Sequence, residues 1–363
     1  MKPALCIASL GLFAACGSAS SFDPAPPAPT SGAPPSCDAS RVGDLEVSGA
    51  DRDGFPPYAV AACTLAYVNG AGDMVVRDLS GTSREATLAT ASEHPRRPAV
   101  SESTIAWEAD EGGHSVVRAR ANAVTRTVTG PFAAAGEPRV SGTSVVFTAW
   151  TGPGAGADTD VWLFDAGSGE AHLALGGAGQ QRFADVSSRY VVATDFSEDP
   201  DGRFDGNETD LADLLVLDRA SGGGSTRRLP GKQSFPILGE GDAIAYLDWG
   251  SIHPEPKLQA YAVRSGLLVG RPGDRTVATV AQVSATYARP ALAGATLEWV
   301  ANPDGITRLY RAPLDGSAPP AVVSGLDSLR LYAPASTHAF TVLAAAAPNR
   351  SAGTLPRLRA VTR

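Results

Sequence analysis

The sequence is poor in the side chains that most catalytic and metal sites need. Its 363 residues hold 4 cysteines, 5 histidines and 2 methionines. There is no G-x-S-x-G, which removes a nucleophile elbow. H-E-x-x-H and C-x-x-C are also missing, and with them the commonest zinc spacings. No G-x-G-x-x-G opens a helix, and no S-x-D-x-G-x-T-W Asp-box occurs. Beyond the first sixteen residues no helical periodicity is sustained, so helical solenoids and α/β layers fit poorly. Charged residues are 19% of the chain, below the usual ~25%, and the net charge is −8 without a Lys/Arg stripe. Nucleic acid is therefore not an expected partner.

Glycine and proline, by contrast, are abundant at 39 and 28 residues. That composition suits many short strands joined by turns. The chain begins MKPALCIASLGLFAAC. Lys2 gives a positive start, residues 5–13 an apolar run too short to span a bilayer, and Ala14 and Ala15 small residues before Cys16. The pattern predicts a secretory signal over residues 1–15. LFAAC resembles the lipobox of bacterial lipoproteins, with Phe13 where leucine is usual. The resemblance implies a lipid on Cys16 and, with Gly17 rather than aspartate following, the periplasmic face of the outer membrane. The remaining alternative is an ordinary secretory signal cleaved nearby. Residues 16–41 are rich in proline, alanine and serine, and read as an extended tether that holds residues 42–363 away from the membrane. Cys37 and Cys63 then sit in an oxidising compartment, either as a disulfide or as two free thiols.

An internal repeat organises the rest. RPAVSESTIAW (97–107) recurs as EPRVSGTSVVF (137–147) and RPALAGATLEW (289–299), with looser copies at 56–67, 183–193, 235–246 and 332–343. Copies lie about 40 to 54 residues apart, the length of a propeller blade. In each, a proline opens a short strand where no N–H donor is needed, a small-residue turn follows, and a β-branched and aromatic run forms a buried strand. A second apolar run such as 160–170 and a closing run such as 171–175 complete four antiparallel strands. The expected fold is an all-β propeller of seven four-stranded blades, with six possible. The seventh copy ends without a fourth strand, and residues 42–48 precede the first blade without belonging to it. Those residues are expected to close the ring and remove two open edges. The pattern P-x-x-S-G-x-x-[VI]-x-[FW] followed by D-[VI]-W-[LV]-x-D-x-x-S-G resembles the WD40-like repeats of TolB-type propellers, most clearly over 137–170. That resemblance implies the fold. TolB's separate N-terminal α/β domain has no room here, so a Tol–Pal role is not implied.

Candidate functional residues are few. DFSEDPDGRFDGNETD (195–210) falls between the second and third strands of the fourth blade. Asp195, Asp199, Asp201, Asp205, Asn207 and Asp210 supply enough oxygens for calcium, the one cofactor the sequence suggests, and Gly202 and Gly206 allow tight wrapping. The spacing fails as an EF-hand: counted from Asp201, Arg203 and Ala212 stand where oxygen ligands belong. The other reading is a solvated hairpin tip. The long 151–160 loop of the third blade is expected beside it. His94, His114, His172, His253 and His338 are scattered and read as solvated loop residues. Trp107, Trp150, Trp162 and Trp299 read as packing between blades rather than as a carbohydrate platform, and Trp249 sits in a long Pro-rich loop. The leading expectation is a lipid-anchored envelope propeller that binds or scaffolds a protein or an envelope polymer. The alternative is a propeller hydrolase or lyase acting on glycan or peptide at the pore.

Overall fold

The computed structural model describes residues 37–363, apart from 50, 52–54, 82–83, 153–155, 205–210, 228–231, 240–242, 249–260, 268–274, 281–288, 302–305, 315–316, 327–329 and 348–353. The leader, Cys16, most of the tether, His253 and Trp249 thus lie outside the described residues. The compact unit runs from Ser36 to Arg363.

Seven four-stranded antiparallel sheets make a β-propeller. Six are runs of four consecutive strands. Blade 2, for example, comprises Arg96–Val100, Thr104–Glu111, His114–Ala121 and Val124–Thr127. Blade 3 comprises Ala134–Ser141, Ser144–Trp150, Thr159–Asp165 and Ala171–Leu175, with the repeat's third and fourth strands where the sequence places them. Burial is graded across each blade. The second strands are almost wholly buried, as in Tyr190–Asp195, whereas Glu85–Ala89 and Val124–Thr127 on the rim are mostly exposed. This gradient explains the composition: inner strands pack on both faces and read as continuous apolar runs, and rim strands do not.

The seventh blade differs. Its first strand is broken into Arg330–Leu331 and Ala335–Ser336, both paired to Phe340–Ala346, with Arg357–Thr362 on the other side. The fourth position is taken by the N-terminal segment. Glu46 bridges Arg357 antiparallel, Leu358 N donates to Leu45 O at 2.9 Å, and Val47 N donates to Pro356 O at 3.0 Å. The same segment then reaches blade 1, where Ser48 N donates to Val68 O at 3.1 Å. The ring is closed as the unpaired strand count predicted.

The first strands surround the axis, and they carry a shared irregularity. Register shifts fall between Arg96 and Ala99, Arg182 and Asp185, and Ser234 and Ile237. At this point of blades 2 to 5 the backbone is left-handed at non-glycine residues: Arg97 (φ 52°), Glu137 (φ 56°), Phe183 (φ 57°) and Phe235 (φ 56°). Each bulge turns a large side chain into the channel that would otherwise run along the axis.

Candidate functional site

The axial channel is filled on one side and hollow on the other. The filling begins with Phe55, Phe183 and Phe235, which are buried together with Phe196, and the Phe183 and Phe235 ring centroids are 4.5 Å apart. Cations lie on these rings. Arg97 is 4.6 Å from the Phe55 centroid and Arg182 4.7 Å from that of Phe183. Guanidinium groups over aromatic faces gain from the ring quadrupole.

The carboxylates between them form an inter-blade chain. Glu137 is 1% exposed and accepts from Thr148 Oγ1 at 2.8 Å, Phe183 N at 3.2 Å and Arg182 Nε at 3.1 Å. Glu108 accepts the N–H of Glu137 at 3.0 Å, and Thr194 Oγ1 accepts that of Phe235 at 3.2 Å. In each case the N–H of a left-handed residue, lost to its own ladder, is satisfied by a side chain of the preceding blade. Burial raises the Glu137 pKa, but Arg182 and Arg97 overcome it and hold the carboxyl at about 2.

Two residues further along the strands the channel opens into a cavity of about 210 Å³, lined by the first strands of all seven blades. Aliphatic residues such as Ala99, Ile237 and Ala291 are numerous in its lining, but more polar than apolar surface faces it, and its charges are Arg139, Asp185 and Arg289. Val100, Val140 and Leu238, one residue further, are half-exposed, so the cavity lies toward the hairpins that join first and second strands. Asp185 accepts from Leu238 N at 2.8 Å and Val186 N at 3.0 Å, and its burial raises its pKa against the pull of Arg139. Arg289 is 2% exposed.

The acidic loop lies at the other end of the channel. Asp195 is buried and accepts from Gln181 Nε2 at 3.0 Å and Ser197 Oγ at 2.9 Å. Asp199 accepts from Asp201 N at 3.0 Å and Leu211 N at 2.8 Å, and Asp201 from Arg203 N at 3.0 Å. These carboxylates therefore shape the backbone of the turn; Asp205, Asn207 and Asp210 lie outside the described residues. Phe204, which the sequence reading passed over, anchors the loop, with its ring 4.8 Å from Phe183. The 151–160 loop is a neighbour as expected: Gln180 donates to Ala157 O at 2.9 Å and accepts from Phe204 N at 2.9 Å.

His94, His114, His172 and His338 are exposed, and none lines the cavity. Trp107 and Trp299 are buried at 0% and 1%, and Trp162 packs edge-on against Phe132. Cys37 and Cys63 are bonded, with their Cα atoms 5.1 Å apart. The cavity charges were not picked out from the sequence. The signal was present, because Arg289 stands before the repeat proline where Phe55, Arg97, Glu137 and Phe235 also stand.

Similar solved structures are propellers. The β-propeller domain of the Trilobed protease from Pyrococcus furiosus, described as having an open velcro topology, is 9% identical with a TM-score of 0.60; the match covers 88% of this chain and 97% of that one. The Pyrococcus horikoshii acylaminoacyl peptidase is 14% identical with a TM-score of 0.51, over 69% of this chain and 42% of the peptidase. TolB from Acinetobacter baumannii is 14% identical with a TM-score of 0.44, over 75% of this chain, which spans 61% of TolB. The likenesses to the two Pyrococcus proteins show the fold alone. No family model and no curated protein matches the chain.

Proposed function

We propose that the chain is a binding propeller of the cell envelope, held by a lipid on Cys16 at the periplasmic face of the outer membrane, that takes a protein or envelope-polymer ligand at its axial cavity. The observation that carries this reading is the convergence of all seven first strands on one cavity whose wall combines aliphatic side chains with charged groups. Concave sites with apolar walls and a few convergent polar groups are where proteins bind ligands. The lipobox-like LFAAC supports the anchor, and the Pro/Ala/Ser-rich stretch after it supplies reach.

Three similar structures belong to proteases or peptidases, which favours weighing hydrolysis. Among the described lining residues there is one carboxylate, Asp185, and its oxygens already accept backbone N–H groups. The Ser336 hydroxyl donates to Glu298 at 2.6 Å, and Tyr58 OH donates to Ala333 O at 2.6 Å. Glu298 is itself paired with Arg311 and Arg363. Against its burial, these arginines and its hydroxyl donors hold its carboxyl below the ordinary range and make it a weak base. Tyr58 faces a backbone carbonyl, so binding is the better reading.

The test is capture from detergent-solubilised envelope with the wild-type chain and with Leu238→Trp, which crowds the cavity mouth. The expected result is a specific partner or polymer retained by the wild type and lost by the variant. Equal capture by both would overturn the cavity as the binding site. Cys16→Ser should move the protein from the membrane to the soluble periplasmic fraction, and continued membrane association would overturn the anchor.

A further inference from the structure

Arg289 sits where a buried cation should not be left alone. Its guanidinium lies 4.2 Å from the Phe55 centroid, 5.2 Å from that of Phe235 and 5.4 Å from that of Phe183, so the three rings floor it from below. Nε, Nη1 and Nη2 are all buried without a hydrogen-bond partner among the described residues. Arg139, its neighbour in the cavity, also has a buried and unpartnered Nε.

Other arginines around the axis are matched. Arg97 pairs with Asp51, Glu108 and Glu137; Arg182 with Glu137; and Arg96 with Glu108 and Asp110. Arg139 and Arg289 both feel the fields of Asp185 and Glu137, and Arg139 that of Asp51 as well, but neither has a described carboxylate within the 4.0 Å of an ion pair. The lining residues hold two arginines and one aspartate, and neither arginine is directly paired. Buried cationic donors left without a direct partner are strongly unfavourable.

We propose that the axial cavity binds a monocarboxylate on a short aliphatic stem, with Arg289 as its principal partner and Arg139 as the second donor. A carboxylate matches a guanidinium in planarity and in two-point hydrogen bonding. A single charge suits a wall that already holds Asp185, whereas a phosphate would bring nearly two against it. Ala99, Ala291, Ile237 and Pro290 give the stem an apolar wall. A cavity of about 210 Å³ exceeds several times the ~30 Å³ share of one water. The same chemistry comes either from a free organic acid or from the C-terminus of a peptide ending in a small apolar residue. The proposal rests on the cavity being the binding site of the preceding section.

The purified full chain is titrated calorimetrically with propionate, propionamide and chloride at matched ionic strength, and then with Ala-Ala and its C-terminal amide. Propionate should bind saturably and at least tenfold more tightly than propionamide. Arg289→Met, which removes the charge but keeps an apolar filler, should lose at least tenfold in propionate affinity. Ala291→Leu, which narrows the cavity and leaves the charges intact, should lose affinity as well and covers the case in which Arg289→Met does not fold. Binding of Ala-Ala but not its amide assigns the carboxylate to a chain end; binding of propionate alone assigns it to a free acid. Equal binding of propionate and propionamide overturns the carboxylate while leaving the cavity reading in place. No binding by any probe, or unchanged affinity in Arg289→Met, overturns the proposal, and envelope capture then judges the cavity separately.

Discussion

Glu137 concentrates the residue-scale energetics of the axis. It is fully buried, yet the Arg182 and Arg97 charges keep it ionised with a pKa of about 2, against an ordinary value of 4.5. A carboxyl depressed in the folded state contributes stability that is complete above pH 4.5 and is lost as pH falls toward 2. A shift of that size corresponds to about 3 kcal/mol. Glu137→Gln keeps the shape but leaves Arg182 facing an amide and the Phe183 N–H with a weaker acceptor. Removing one member of a buried ion pair costs about 3–5 kcal/mol. Urea unfolding at pH 7 should register a loss of that order, and the variant's stability should fall less steeply than the wild type's between pH 4.5 and 2. Parallel pH profiles for the two proteins would mean that Glu137 is not the group that titrates with folding.

At the scale of the strand, one backbone shape serves two purposes. Phe183 (φ 57°) and Ala62 (φ 46°) are both left-handed, a conformation that costs an L-residue about 1–2 kcal/mol. Ala62 is exposed at the tip of the first hairpin of blade 1, where its methyl group packs against little. Ala62→Gly should be neutral to about 1 kcal/mol stabilising, because relief of strain is partly offset by the looser unfolded chain. Phe183→Gly relieves the same strain but empties the axial plug. Deleting a buried phenylalanine costs about 3–5 kcal/mol, so a net loss of about 2–4 kcal/mol should appear in denaturant unfolding. Equal effects at the two sites would mean that the bulge, rather than the plug, sets stability. The bulge also marks where the sequence stops being readable. Prolines at 98, 138 and 290, the turns after them and the apolar second strands were legible because each fixes a local conformation. The register shift was not, because every copy that carries it keeps the same spacing, and an irregularity shared by the copies leaves their period unchanged. The place of Arg289 at the axis was legible from its position before the repeat proline, but its isolation was not, because that depends on which side chains the six other blades send to the axis. Phe204 was masked by its acidic neighbours, whose charge drew the reading toward solvent or calcium.

For the whole molecule, the ring has one seam, and the N-terminal segment crosses it twice. Residues 45–47 pair with Arg357 and Leu358 of blade 7, and Cys37 is bonded to Cys63 in the first hairpin of blade 1. Tyr58 joins the same two blades from within: it donates to Ala333 O at 2.6 Å and accepts from Ala344 N at 2.8 Å. Arg357 pairs with Asp44 and Glu46 on the exposed side, where solvent screening leaves such contacts little to contribute. The strand and the disulfide should therefore act differently when removed. Replacing both cysteines by serine loosens the unfolded chain over a 26-residue span, worth about 3 kcal/mol, but leaves every ladder hydrogen bond in place. Its melting temperature should fall by several degrees with one cooperative transition. Deleting residues 42–48 removes the fourth strand of blade 7, exposes the edge of Arg357–Thr362 and uncovers the core beneath Val42 and Val47, both 0% exposed. That loss should exceed the disulfide's. It should also broaden the calorimetric transition, because blades 1 and 7 can then separate before the rest unfolds. If the deletion melts as sharply and as high as the disulfide variant, the ring is held by inner contacts such as Tyr58 to blade 7, and the N-terminal strand only covers an edge.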